Sequence, residues 1–139
     1  MELIDDLELL TAVATGDLDV YLRYSRGPGA DAAGSLDHEA DVPLPGLSVT
    51  PLRPEPWWPR PAADWVARRV FSYAHLAEKR SDRRPWILTG RVAGTGPDHE
   101  PLIADPLPLA WLGPRLLAQA AERYRERFAP GRDSADRSS

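Results

Sequence analysis

The sequence predicts an α+β fold, a small mixed β-sheet of about four to six strands packed with three helices. Three observations carry that expectation. Apolar residues recur at helical spacing in three separate stretches, and shorter runs alternate apolar with polar residues as half-buried strands do. These stretches do not alternate strictly between helix and strand, which argues against a doubly wound parallel sheet. A chain of 139 residues has the length of one domain. That domain is expected over residues 1–131, and the polar run 132–139 is expected to be a disordered tail.

Residues 2–15 read as the first helix, since Leu3, Leu7, Leu10 and Ala14 share one stripe and Gly16 can stop it. Glu2, Asp5 and Asp6 would sit in its first turn, where the helix dipole favours anions. Val20–Ser25 reads as a strand, with Val20, Leu22 and Tyr24 on one face and Tyr21, Arg23 and Ser25 on the other. A loop rich in Gly, Pro, Asp and Ala follows over 26–46, and Leu47–Leu52 is a short strand. Pro51–Pro61 holds five prolines around Trp57 and Trp58, so an extended, polyproline-like path is expected. Ala62–Arg80 is the central helix, burying Val66, Val70, Tyr73, Ala74 and Ala77 with Trp65 and Leu76 beside them. Its solvated face carries Arg68, Ser72, His75 and Lys79, and Asp64 with Arg68 forms a helical i,i+4 pair. Pro85–Ala93 is the strongest strand. Leu102–Ala104 and Leu109–Leu112 read as two further strands broken apart by Pro106 and Pro108. The last helix is expected over Arg115–Phe128, with Leu117, Ala121, Tyr124 and Phe128 as its stripe and Leu116 and Ala120 in support.

Composition removes several classes of function. The chain has no cysteine, which excludes disulfides and thiolate metal sites. No apolar run reaches about 18 residues, so no membrane partner is expected. The acidic start, Met1 to Asp6, is unlike a secretory signal, and a cytoplasmic location is expected. A net charge of −4 argues against bulk nucleic-acid binding. The glycine-rich turns lack the Walker spacing, and no Gly-x-Ser-x-Gly elbow is present. No metal site is expected, since His38, His75 and His99 form no chelating spacing and neighbours on extended backbone point apart.

The informative feature is a pair of similar polar patches, each following a strand. One runs from Arg23 to Asp31 and on to Asp37-His38-Glu39; the other runs from Arg91 to Asp98-His99-Glu100. Clustered charge on scaffold-borne loops is where function concentrates. Arg23, Ser48 and Glu100 are the candidate catalytic residues. A guanidinium fork suits a diphosphate, a hydroxyl can orient a ribose, and a strand-end glutamate can polarise a ribose hydroxyl. Tyr21, Ser25, Trp57, Trp58, Arg91 and Asp98 are the candidate ligand-binding residues.

The segments Tyr21–Pro28, Leu44–Val49, Glu55–Trp58, Leu88–Asp98 and Glu100–Leu102 resemble a small actinobacterial family of uncharacterised proteins. That resemblance implies a soluble bacterial protein. The order of elements is also similar to compact ADP-ribosyltransferase-like proteins, including short enzymes that modify rifamycin antibiotics. In that layout Arg23, Ser48, the helix from Asp64, the strand Trp86–Val92 and Glu100 fill the places of the family's polar residues and elements. The Ser-Thr-Ser signature and a Gln-x-Glu or Glu-x-Glu motif are absent. Two functional expectations follow. The favoured one is a non-catalytic module binding a small molecule or a protein through the Trp/Pro segment and the polar loops. The alternative is an ADP-ribosyltransferase-like enzyme, or nucleotide binder, with NAD as its cofactor and glycosyl transfer as its reaction.

Overall fold

The computed structural model describes residues 1–32, 34–37, 39–77 and 82–128. Its elements in order are β1 (Glu2–Ile4), α1 (Leu7–Ala14), β2 (Tyr21–Ser25), β3 (Leu36–Asp37), β4 (Val42–Pro43), β5 (Leu47–Ser48), β6 (Thr50–Pro51), α2 (Ala62–Ala77), β7 (Arg84–Thr95), β8 (Pro101–Leu112) and α3 (Pro114–Phe128). This is the expected α+β class, with three helices, a six-stranded mixed sheet and a two-stranded β3–β4 ribbon inside the long loop. The tail at 132–139, His38 and the Lys79–Arg80 end of the central helix lie outside the described residues.

The main sheet closes on itself. β7 pairs antiparallel with both β2 and β8, with Leu22 opposite Ile87 and Ile87 opposite Ala110. The short stretch 47–51 then bridges the two free edges: β5 pairs with β8 through Leu47 and Ile103, and β6 pairs with β2 through Tyr21 and Pro51. Register shifts between Ile87 and Leu88, between Thr89 and Arg91 and between Val92 and Gly94 bend the long β7–β8 hairpin. Gly46 lets the bridging stretch come close, because a Cβ there would lie 2.6 Å from the Ile103 carbonyl oxygen.

Two apolar cores result. The first lies between the sheet and the helices and joins Leu7 and Leu10 of α1, Val66 and Val70 of α2 and Leu116 of α3 to Leu22, Ile87 and Leu112. The second fills the closed sheet with Tyr21, Leu47, Val49, Trp86, Leu88 and Ile103. Alternation along β2 therefore divides its side chains between two cores rather than between a core and water. Trp65 and Trp86 are both buried.

Four expectations are corrected. The first helix does not begin at residue 2. Glu2–Ile4 adds a parallel edge strand to β8, and the Asp5 carboxylate accepts from the Arg115 and Leu116 amides at 2.9 and 3.2 Å. Asp5 thus caps α3 rather than charging its own helix, and Leu3 is exposed. The Pro106–Pro108 break is not a break. β8 runs through it, with Pro108 opposite Leu88 and Pro106 in the irregular step between the Thr89–Leu107 and Arg91–Ala104 pairs, and among the described residues no second strand pairs with 104–109. The Leu47–Leu52 strand is split at Val49, whose amide reaches back to the Pro101 carbonyl. Finally, Asp64 does not pair with Arg68. It is fully buried between α2 and α3, where Arg123 Nε meets it at 2.6 Å, with Arg60 at 3.5 Å and Arg127 at 3.8 Å.

Candidate functional site

A continuous chain of polar contacts starts inside the closed sheet and ends at its rim. The indole Nε1 of Trp86, on β7, donates to Ser25 Oγ at 3.0 Å. The Gly27 amide donates to the same oxygen at 3.1 Å, and the Ser25 hydroxyl donates to Asp31 Oδ2. Asp31 in turn receives Arg23 through a fork, Nε to Oδ2 at 2.9 Å and Nη2 to Oδ1 at 3.1 Å. Arg23 Nη1 continues to the Ser48 carbonyl oxygen at 2.8 Å. The Ser48 hydroxyl donates to Glu100 Oε2 at 2.9 Å, and the Asp98 amide donates to Glu100 Oε1 at 3.2 Å.

The local sequence explains why these groups hold still. Arg23 and Ser25 share the face of β2 that looks into the closed sheet. Ser25 sits at the last β2–β7 register pair, opposite Arg84, just before the chain turns at Gly27 with φ of 124°. Ser48 is fixed by β5 and by the Ser35 hydroxyl, which accepts its amide at 2.9 Å. A tight turn, with the Gly96 amide on the Glu100 carbonyl at 2.8 Å and His99 at φ of 62°, delivers Asp98 and Glu100 to Ser48.

Two hollows flank this chain and share Arg23, Ser48, Asp98 and Glu100 in their walls. The larger, of about 620 Å³, is lined by carboxylates from both polar patches: Asp31, Asp37 and Glu39 from the first, Asp98 and Glu100 from the second. Ser25, Arg26 and Arg83 also line it. The other, of about 600 Å³, lies toward α2, where Tyr24, Thr50, Arg69 and Tyr73 form its side. The Thr50 and Tyr73 hydroxyls are hydrogen-bonded there, and Arg69 stacks on the Trp65 ring at 4.8 Å. Desolvation, and then the Arg68 charge, lower the Arg69 guanidinium's pKa, against the opposing pull of Tyr73 and Glu55.

The structure thus gathers five of the nine sequence-nominated residues at one place: Arg23, Ser25, Ser48, Asp98 and Glu100. The other four stand elsewhere. Tyr21 is 8 % exposed within the second core. Arg91 faces solvent on β7 and pairs at 3.5 Å with Asp105, outside both hollows. Trp58 packs on the first core and donates Nε1 to the Pro61 carbonyl, while Trp57 is 69 % exposed and meets Trp58 and Trp65 edge-on. Those two rings brace the start of α2 and line neither hollow. Asp31 is the residue that sequence reasoning left without a role. Only its place in the first patch marked it, because a carboxylate eight positions after an arginine signals no contact by itself.

Fold and site define a small α+β protein with a closed sheet and a charged, internally braced hollow at its rim. The chain belongs to the family of unknown function DUF6098, whose model matches residues 1–136. No curated protein and no solved structure matches it significantly.

Proposed function

We propose that the protein is a non-catalytic binding module and that the rim hollow takes a small hydrophilic ligand. The observation that carries this reading is the shared wall of Arg23, Ser48 and Glu100, built from segments far apart in sequence and held by internal hydrogen bonds. A wall already ordered loses little side-chain entropy when a ligand arrives. Glu100 keeps lone pairs beyond the two it offers Ser48 and Asp98, so it can accept from a hydroxyl or an ammonium. Arg23 is neutralised by Asp31, and a phosphate would have to displace that carboxylate. This favours a binding wall over the nucleotide-processing alternative, in which Arg23 would grip a diphosphate directly.

Calorimetric titration with ribose, ribose 5-phosphate, free arginine and NAD tests the reading. We expect saturable heat with at least one of them, with Kd near or below about 1 mM, lost in both Glu100→Gln and Ser48→Ala. No heat from any of the four overturns it. Heat from NAD that disappears in Arg23→Ala, accompanied by release of nicotinamide, replaces it with the enzymatic alternative.

A further inference from the structure

The β2–β7 ladder ends at the pair Ser25–Arg84. One register step further out stand Arg26 and Arg83, on adjacent strand ends, and both line the larger hollow. Arg84, opposite Ser25, stacks on the Trp111 ring at 4.6 Å. Among the described residues neither Arg26 nor Arg83 has an ion pair or a hydrogen bond; Arg26 is exposed, whereas the Nε of Arg83 is buried with no acceptor. A buried, unsatisfied donor is unfavourable in the empty protein, and an oxyanion in the hollow that both guanidinium groups line would satisfy it.

We propose that Arg26 and Arg83 form a phosphoryl-binding subsite of the rim hollow, and that its ligand is a phosphorylated polyol. Two guanidinium forks match the charge of a phosphate monoester, close to −2 at neutral pH, better than that of a single carboxylate. The hydroxyls of such a ligand then have Glu100 and Asp98 as acceptors in the same hollow. The inference rests on the hollow being the ligand site, and it adds what the ligand must carry at one end.

Binding of ribose 5-phosphate, ribose and inorganic phosphate to the full chain separates the two claims. Ribose 5-phosphate is expected to bind at least tenfold more tightly than ribose, and more tightly than inorganic phosphate. Arg83→Gln and Arg26→Gln should each erase that advantage while leaving ribose binding unchanged. Arg83→Gln should melt, without ligand, at or above the parent temperature, because it removes the buried Nε donor that has no acceptor. Equal affinity for ribose and ribose 5-phosphate overturns the phosphoryl subsite and leaves the hollow reading standing. An unchanged advantage in both variants overturns it too, as does loss of ribose binding in step with ribose 5-phosphate binding. Absence of binding by all three overturns the subsite, while saturable heat from arginine or NAD would still support the hollow.

Discussion

Ser25→Ala removes one hydroxyl and should disturb far more than its size suggests. The Ser25 oxygen accepts from the Trp86 indole and from the Gly27 amide, and both donor residues are buried. With the oxygen gone, two buried donors lose their partner, at roughly 1–3 kcal/mol each, and Asp31 loses one of its donors. A total of about 3 kcal/mol is a moderate value within that range. For a chain of 139 residues, an unfolding entropy of about 2.1 cal/mol/K per residue converts this into a fall in Tm of about 10 °C. Thermal melting followed by circular dichroism measures it directly. The cycle with Trp86→Phe, which deletes the indole donor from the other side, should show coupling of about 1 kcal/mol, as contacting groups do. A fall of less than about 2 °C, or coupling indistinguishable from zero, would refute the claim that the core braces the site through Ser25.

Further expectations concern the scaffold. Trp65→Ala and Trp86→Ala should each destabilise by about 3–5 kcal/mol in denaturant melts, the range for core aromatics, and a loss below about 1 kcal/mol would place either ring wrongly. Arg123→Ala should cost about 3 kcal/mol, because Asp64 is fully buried and keeps only the longer contacts to Arg60 and Arg127. Arg91→Ala, removing a pair whose members are 68 % and 84 % exposed, should change stability by less than about 0.5 kcal/mol. Burial, and then the charge of Asp19, raise the Tyr21 phenol above its ordinary 10.0, with Arg53 opposing. The folded state therefore favours the protonated phenol. That contribution is intact below pH 10 and is lost as pH rises through the raised value. Tyr21→Phe should flatten the decline in stability above pH 10, and an unchanged slope would contradict the assignment.

What could be read from the sequence was local. The 3.6-residue stripes of α2 and α3 and the alternation of β2 reflect packing of neighbouring residues against one surface, and those elements lie where the pattern places them. The misreadings were all decided by distant partners. Glu2–Ile4 is helix-like in pattern but pairs with β8, and Asp5 is spent on α3 rather than on its own helix. Pro106 and Pro108 look like breakers until one side of β8 proves to be open. Asp64 and Arg68 have ideal spacing for a pair, yet Arg123 offers the buried carboxylate a better one. The site follows the same rule. The repeated Asp-His-Glu patches are visible locally, and the structure brings Asp37, Glu39, Asp98 and Glu100 to one hollow. The bridge from β5 to β6 that closes the sheet, and thereby sets Ser48 between Arg23 and Glu100, has no local signature. Nor does the presence of both Arg26 and Arg83 in the lining of one hollow, since they lie 57 positions apart in the chain.

A single ligand can meet both polar patches only if they share one hollow. Because the chain has no cysteine, a single Glu39→Cys substitution can carry a nitroxide spin label without background. Amide spectra recorded with the label oxidised and then reduced should show selective broadening at Ser48, Asp98 and Glu100 as well as in the loop that carries the label, and none at Trp57. Broadening confined to the neighbours of residue 39 in sequence would contradict the shared hollow and every functional statement built on it.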